Sequence, residues 1–205
     1  MFRQYLNKLT QAIQQRGLLD VFLNSFYLGL AYVHSVVNVS LLRARGYMIN
    51  QSSLILGKAF VSQSYREHIT SSGRIVLCDG TRIMALDEGK IHFGNDVRIG
   101  EQTYIYAQQQ ISIGDHVLIG PRCYIIDCDY DLTDTNKCIH NAGKNSSPIS
   151  IGSNVWLGAH VVILRGVTIG DGCVIGAGAI VTKDIPPYSI AVGNPARVVR
   201  TRGKV

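Results

Sequence analysis

The sequence predicts an all-β fold, a parallel β-helix built from six-residue repeats, with a helical segment ahead of it and one long extruded loop. Three observations predict it. Apolar residues recur every six positions at Ile151, Leu157, Ile163, Ile169, Ile175 and Val181. A second apolar or small register follows four residues later, at Val155, Val161, Val167, Cys173, Ala179 and Ile185. Glycine directly follows the first register at 152, 158, 170 and 176. Neither the helical period of 3.6 nor the strand period of 2 gives this spacing. A short strand plus a turn does, three such units closing one triangular coil whose stacked copies bury the apolar column. Gly at those positions suits a corner needing unusual dihedrals or close backbone approach.

The elements follow in chain order. Residues 1–50 read as an N-terminal helical segment with an apolar stretch from Leu18 to Leu42. That stretch is long enough to span a bilayer. Asp20, Asn24, His34 and Asn38 interrupt it, each costly at the bilayer centre. One or two packed helices are therefore expected. An interfacial helix, with peripheral membrane contact through residues 18–45 and Arg43 and Arg45 beside it, is the alternative. No basic region precedes a compact apolar core with a small-residue cleavage site, which argues against a cleaved signal peptide.

Residues 51–90 keep only fragments of the pattern, LILG (54–57) and IVLCDG (75–80), and read as irregular first coils that cap the solenoid. Residues 91–185 form the regular β-helix. Its earlier block runs through Phe93, Ile99, Ile105 and Ile111, then shifts by two to Ile113, Ile119 and Ile125. The pattern breaks over residues 127–148, the extruded loop, and ends at Pro186-Pro187. Residues 186–205 read as a basic tail carrying Arg197, Arg200, Arg202 and Lys204.

Composition narrows the partners. The chain is 46% hydrophobic and 17% charged, a folded globular profile. Its net charge of +6 favours an anionic partner. No dense Lys/Arg run with interleaved aromatics occurs, which argues against nucleic acid. The five cysteines, Cys78, Cys123, Cys128, Cys138 and Cys173, include no CxxC pair and read as reduced thiols of a cytoplasmic protein.

The stretch IGSNVWLGAHVVILRGVTIGDGCVIGAGAIVTKDIPPYSIAVGNPARVVR (151–200) resembles the C-terminal half of the hexapeptide-repeat acyltransferases. Among these it looks most like the maltose/galactoside acetyltransferase type and related sugar O-acetyltransferases of polysaccharide biosynthesis. The resemblance is reasonable from about residue 90, weak over 51–90 and absent before that. It implies a left-handed β-helix, a homotrimer with active sites between neighbouring subunits, acetyl-CoA as donor, no metal, and a sugar or glycan acceptor. The interfacial alternative for residues 18–45 would place this cytoplasmic chain at the inner face of the membrane. Carried over, the resemblance puts Trp156 and Gly158 beside the acyl-pantetheine arm, and Gly176 and Ala177 in backbone contact with it. Thr182 and Lys183 fall near the nucleotide end, and Arg197 and Arg200 near the CoA phosphates. A flat solenoid wall independently offers free backbone amides to an extended arm, with Lys and Arg suited to phosphates. A purely solvated basic end is the structural alternative for these cations.

The stretch IIDCDYDLTD (125–134) carries four aspartates where the chain leaves the repeat. Acyl transfer to a hydroxyl needs a base, usually histidine near neutral pH. The family's histidine position holds Asp131 in one register and Cys128 in the other. Three candidates stand in its place, beside a substrate-assisted route that needs no protein base. Asp131 is a base if crowding by Asp127, Asp129 and Asp134 raises its pKa. His140, within CIHN on the loop, can swing into the cleft. Cys128 is a third candidate, as base or transient acyl carrier. An EF-hand reading fails because Leu132 and Cys138 replace the required Gly and Glu. His68, His92, His116 and His140 are evenly spaced by 24, not a multiple of an eighteen-residue coil, so the spacing is coincidental.

The functional expectation is acetyl transfer to a sugar hydroxyl or amine of a glycan or nucleotide-sugar intermediate. A catalytically silent CoA-binding or scaffold protein is the alternative. A γ-type carbonic anhydrase on the same fold is disfavoured, because no histidine cluster has suitable phases.

Overall fold

In the computed structural model, which describes residues 18–65 and 67–203, the chain winds into a β-helix with three walls. The first wall stacks Leu54–Ile55, Ile75–Leu77, Val97–Ile99, Leu118–Ile119, Trp156–Leu157, Val174–Ile175 and Ser189–Val192. The second stacks Phe60–Gln63, Arg82–Ala85, Tyr104–Ala107, Tyr124–Ile126, Val162–Ile163 and Ile180–Val181. The third stacks Ile69–Ser71, Lys90–Phe93, Gln110–Ile113, Ile149–Ile151 and Thr168–Ile169. Every pairing within these walls is parallel, and the architecture matches a left-handed β-helix.

Both apolar registers of the sequence point inward. Ile151, Leu157, Ile163, Ile169, Ile175 and Val181 are all at most 2% exposed, as are Val155, Val161, Val167, Cys173 and Ala179. The aliphatic column is continuous from the first coil to the last. Removing one member, as in Ile163→Ala, costs about 2–5 kcal/mol because the rigid walls cannot collapse onto the cavity.

The corners explain the glycines by close approach. A Cβ on Gly158 would stand 2.6 Å from the Ala177 amide nitrogen, and one on Gly120 would stand 2.6 Å from the Gly158 carbonyl carbon. The unusual dihedrals fall two residues later, at positive φ: Asp96, Gln102, His116, Arg122, Asn154 and His160, then Gly172 and Gly178. Asn, Asp and His tolerate this left-handed region better than most residues. His116 and His160 are thus corner residues.

Coil length is not constant. The first wall pairs Leu77 with Ile99, 22 residues on, then Ile99 with Ile119, 20 on, and Leu157 with Ile175, 18 on. Residues 51–90 therefore form two coils of the same three walls, longer than eighteen residues. The helix Leu18–Ala44, here α1, packs on the first coil through Ser35, Val39 and Leu42, all buried. Its Ser35 hydroxyl accepts the Ile55 amide at 2.6 Å. Residues 1–17 of the expected N-terminal segment, and Lys204, lie outside the described residues.

The segment expected as a basic tail instead begins as structure. After Ser189–Val192 the chain turns back, and Arg197–Thr201 pairs antiparallel with it at the end of the first wall.

Candidate functional site

The glycine corner between the first and second walls leaves a strip of close-packed backbone from Gly100 through Gly120 and Gly158 to Gly176. Beside it lies an open groove of about 350 Å³, lined among others by Arg98, Glu101, Leu118 and Trp156. Leu118 pairs with Arg98 on one side and Trp156 on the other, so these three form a row across the wall. Trp156 is 56% exposed, a large cost in water unless something covers it. The same row continues from Trp156 to Val174, Ile190 and Arg200. Arg200 therefore stands three strands from Trp156 in one wall, about 14 Å away.

The other expected donor residues divide between this edge and the far end of the second wall. Gly158 and Ala177 meet at the corner, with Gly176 in the same step. The C-terminal turn docks on the second wall: Ile180 donates its N–H to the Gly193 carbonyl at 3.1 Å, and Ala196 donates to the Ile180 carbonyl at 2.8 Å. That brings Arg197 to the rim where Thr182 and Lys183 leave the strand Ile180–Val181, all three exposed. Among the described residues, no carboxylate lies within 4 Å of Lys183, Arg197 or Arg200. Exposed cations without counter-ions at this end of the solenoid suit a polyanion.

The second cluster is the root of the extruded loop. The chain leaves the second wall after Ile126, runs out as Cys128–Tyr130 and returns antiparallel as Lys144–Ser146. The four aspartates there have four local explanations. Asp127, fully buried, accepts the backbone N–H groups of Gln108, Gln109 and Gln110 at 2.7, 2.8 and 2.7 Å. These glutamines form the corner lengthened by two residues, so Asp127 caps the irregularity that shifts the repeat. Asp129 accepts from the Arg165 guanidinium at 2.6 Å. Asp131 caps a turn, its carboxylate accepting the Thr133 hydroxyl at 2.7 Å and the Thr133 N–H at 3.0 Å. Asp134 accepts the Asn136 N–H at 3.0 Å.

This corrects the expectation for Asp131. Crowding does not raise its pKa; the Thr133 hydroxyl, and then the Thr133 amide, hold the carboxyl below its ordinary value. Cys128 is buried, and burial followed by the Asp127 charge pushes its thiol up, away from thiolate. His140 is exposed on a single 3-10 turn, Ile139–Asn141, with no hydrogen bond to its ring among the described residues. The remaining histidines have local roles. His34 bonds Asn38 at 3.0 Å, His92 sits between the Thr70 and Ser72 hydroxyls, and His68 is buried beside Tyr65.

Sequence reasoning missed a group of side chains at the loop root. Tyr104 and Tyr124 stack at 5.1 Å between centroids, 15° from parallel, on the outside of the second wall. Lys144, on the returning loop strand, donates to the Tyr106 hydroxyl at 3.1 Å, and that bond raises its pKa. Tyr124 is raised by burial first and then by Tyr104. The signal was available: Tyr104 and Tyr124 are 20 residues apart, one coil of the earlier block, and pair directly.

The model named "Hexapeptide repeat of succinyl-transferase" matches residues 110–126 and 148–183. A probable acetyltransferase of Mycobacterium tuberculosis is 38% identical over 161 residues, covering 76% of this chain and 54% of that protein. The galactoside O-acetyltransferase of Escherichia coli is 45% identical over 119 residues, covering 53% of this chain and 55% of that enzyme. A solved galactoside acetyltransferase in complex with coenzyme A is 35% identical, covering 75% of this chain and 64% of that one, with a TM-score of 0.50. The chain spans about half the length of the curated relatives it matches.

Proposed function

We propose that this chain, a hexapeptide-repeat protein of the acetyltransferase family, transfers an acetyl group from acetyl-CoA to a sugar hydroxyl or amine of a glycan or nucleotide-sugar intermediate. One observation carries the reading: exposed Trp156 and counter-ion-free Arg200 share one row of the first wall, with Arg197 on the same terminal strand as Arg200. An acyl-pantetheine arm would lie along the glycine corner against Trp156. Its nucleotide phosphates would meet Lys183, Arg197 and Arg200. The CoA complex of the 35% identical galactoside acetyltransferase supports this donor.

In the transfer, the acceptor oxygen or nitrogen attacks the thioester carbonyl and loses its proton as the C–S bond breaks. The departing thiolate takes up a proton. Of the candidate bases, His140 has the chemistry and the free ring; Asp131, stabilised as a carboxylate by Thr133, is a weak acceptor of that proton. A homotrimer with the loop of one subunit over the groove of the next would bring the two halves of the site together.

The test is release of free thiol from acetyl-CoA in the presence of a panel of sugars, nucleotide sugars and glycans. Acceptor-dependent release supports transfer. The other reading, a catalytically silent CoA-binding scaffold, is favoured by the turn-capping role of Asp131 and the buried thiol of Cys128, the two residues that the alternative registers put at the family's histidine position. Tight CoA binding with no turnover on any acceptor would establish it.

A further inference from the structure

The helix α1 is apolar on two opposite sides, and the solenoid covers only one. Ser35, Val39 and Leu42 face the first coil and are buried. Phe26, Leu30, Val33, Val37 and Leu41 stand 51–61% exposed. At 100° per residue these five fall within an arc of roughly 80° centred opposite the buried side, along about 22 Å of helix. An apolar helix side of this length is ordinarily covered, so this outer side lacks its partner.

Charge indicates what the partner is. Residues 1–58 hold six basic side chains, Arg3, Lys8, Arg16, Arg43, Arg45 and Lys58, against Asp20 alone, a net +5. The remaining 147 residues hold fourteen basic and thirteen acidic side chains, so nearly all of the chain's +6 is carried by the first 58 residues of the sequence. Arg43, Arg45 and Lys58 are exposed, and among the described residues none has a carboxylate within 4 Å of its charge. Arg43 donates to the Ile49 carbonyl, and Asp79 accepts the Lys58 backbone N–H, so neither contact neutralises a cation. Arg45 and Lys58 line a groove of about 320 Å³ that also includes Leu41, at the edge of the apolar side.

We propose that α1 lies flat on an anionic lipid bilayer, its outer side in the acyl region and its basic residues on lipid phosphates. No helix of the described residues is long and apolar enough to cross a membrane, and a helix with one apolar side and a cationic margin rests in the interface. A second copy of the chain is the poorer occupant, because it would bring the exposed Arg43, Arg45 and Lys58 of one copy against those of the other.

The full chain is tested by flotation with vesicles of mixed phosphatidylglycerol and phosphatidylcholine, and with vesicles of phosphatidylcholine alone. Binding is expected to be at least about tenfold stronger to the anionic vesicles, and to fall by a similar factor in about 1 M salt, where the Debye length drops to about 3 Å. The double variant Leu30→Asp/Val37→Asp changes exposed positions. It is expected to lose vesicle binding with an unchanged melting temperature and unchanged mass in solution. A second variant, Arg45→Gln/Lys58→Gln, leaves the apolar side intact and is expected to weaken anionic binding several-fold. Equal binding to neutral and anionic vesicles would overturn the proposal. So would a lower oligomeric mass of the aspartate variant without lipid, which would make this side a contact between copies.

Discussion

The Asp127 carboxylate accepts the Gln110 backbone N–H at 2.7 Å, joining the root of the extruded loop to a corner one coil earlier. Gln108 and Gln109 donate to the same buried carboxylate. Removing it strands up to three amide donors at once. Asp127→Ala is expected to destabilise the protein by about 3–5 kcal/mol, read from urea unfolding. Asp127→Asn, which keeps one carbonyl oxygen but adds a donor facing other donors, should recover only part of that loss. A loss below about 1 kcal/mol for the alanine variant would show that water replaces the carboxylate.

That contact also marks where the sequence was and was not legible. The aliphatic column was readable because burial on one side of a short strand imposes a strict period, and Ile151 through Val181 keep it. Residues 51–90 looked irregular because their coils step by 22, as from Leu77 to Ile99, and a search for sixes passes over them. The Asp127 role is invisible to periodicity, since its partners are backbone amides 17 to 19 positions away. The four aspartates suggested mutual repulsion, but folding gives each its own donor. Asp129 meets Arg165, 36 residues on, and Asp131 meets Thr133 two residues on. The glycines at 158 and 176 were readable because close stacking of successive coils leaves no room for a Cβ there.

The same stacking separates three glycines that look alike in sequence. Gly158→Ala places a Cβ 2.6 Å from the Ala177 nitrogen and 2.9 Å from its Cα, backbone atoms that cannot turn aside. It should cost about 1–3 kcal/mol or more and disturb the groove beside Trp156. Gly178→Ala meets open space but holds φ at +72°, and should cost about 1–2 kcal/mol. Gly143→Ala, on the loop with neither constraint, should lie within about 0.5 kcal/mol of the wild type. Thermal unfolding of the three variants checks the order.

Asp131 gives a prediction whose sign follows from its turn. Its folded pKa lies below the ordinary 3.8, so the stabilisation it brings is present above that value and lost as pH falls through the folded value. The whole window lies on the acid side of 3.8, and Asp131→Asn should leave the dependence of stability on pH between 5 and 8 unchanged. The same variant should change turnover by less than about threefold, whereas His140→Ala should lower it at least about tenfold. If Asp131→Asn were the more damaging of the two, with CoA binding intact, the base assignment would move to Asp131.

The cationic rim gives the last prediction. Lys183 and Arg200 are exposed and lack carboxylate partners among the described residues, so replacing them removes no internal ion pair. Lys183→Ala and Arg200→Ala should each leave the melting temperature within a few degrees of wild type. Each should raise the KM for acetyl-CoA by roughly tenfold, the loss of one charge-assisted hydrogen bond to phosphate. The turnover number should hardly change, because a phosphate far from the thioester is bound equally in ground and transition states. The difference between wild type and variants should narrow in high salt, which screens exposed charges. Trp156→Ala is the contrasting case. Its ring lies on the path assigned to the acyl arm, so it should lower kcat as well as raise KM, and its effect should persist in high salt. Variants of Lys183 and Arg200 that leave the KM for acetyl-CoA untouched would return these cations to an ordinary solvated surface.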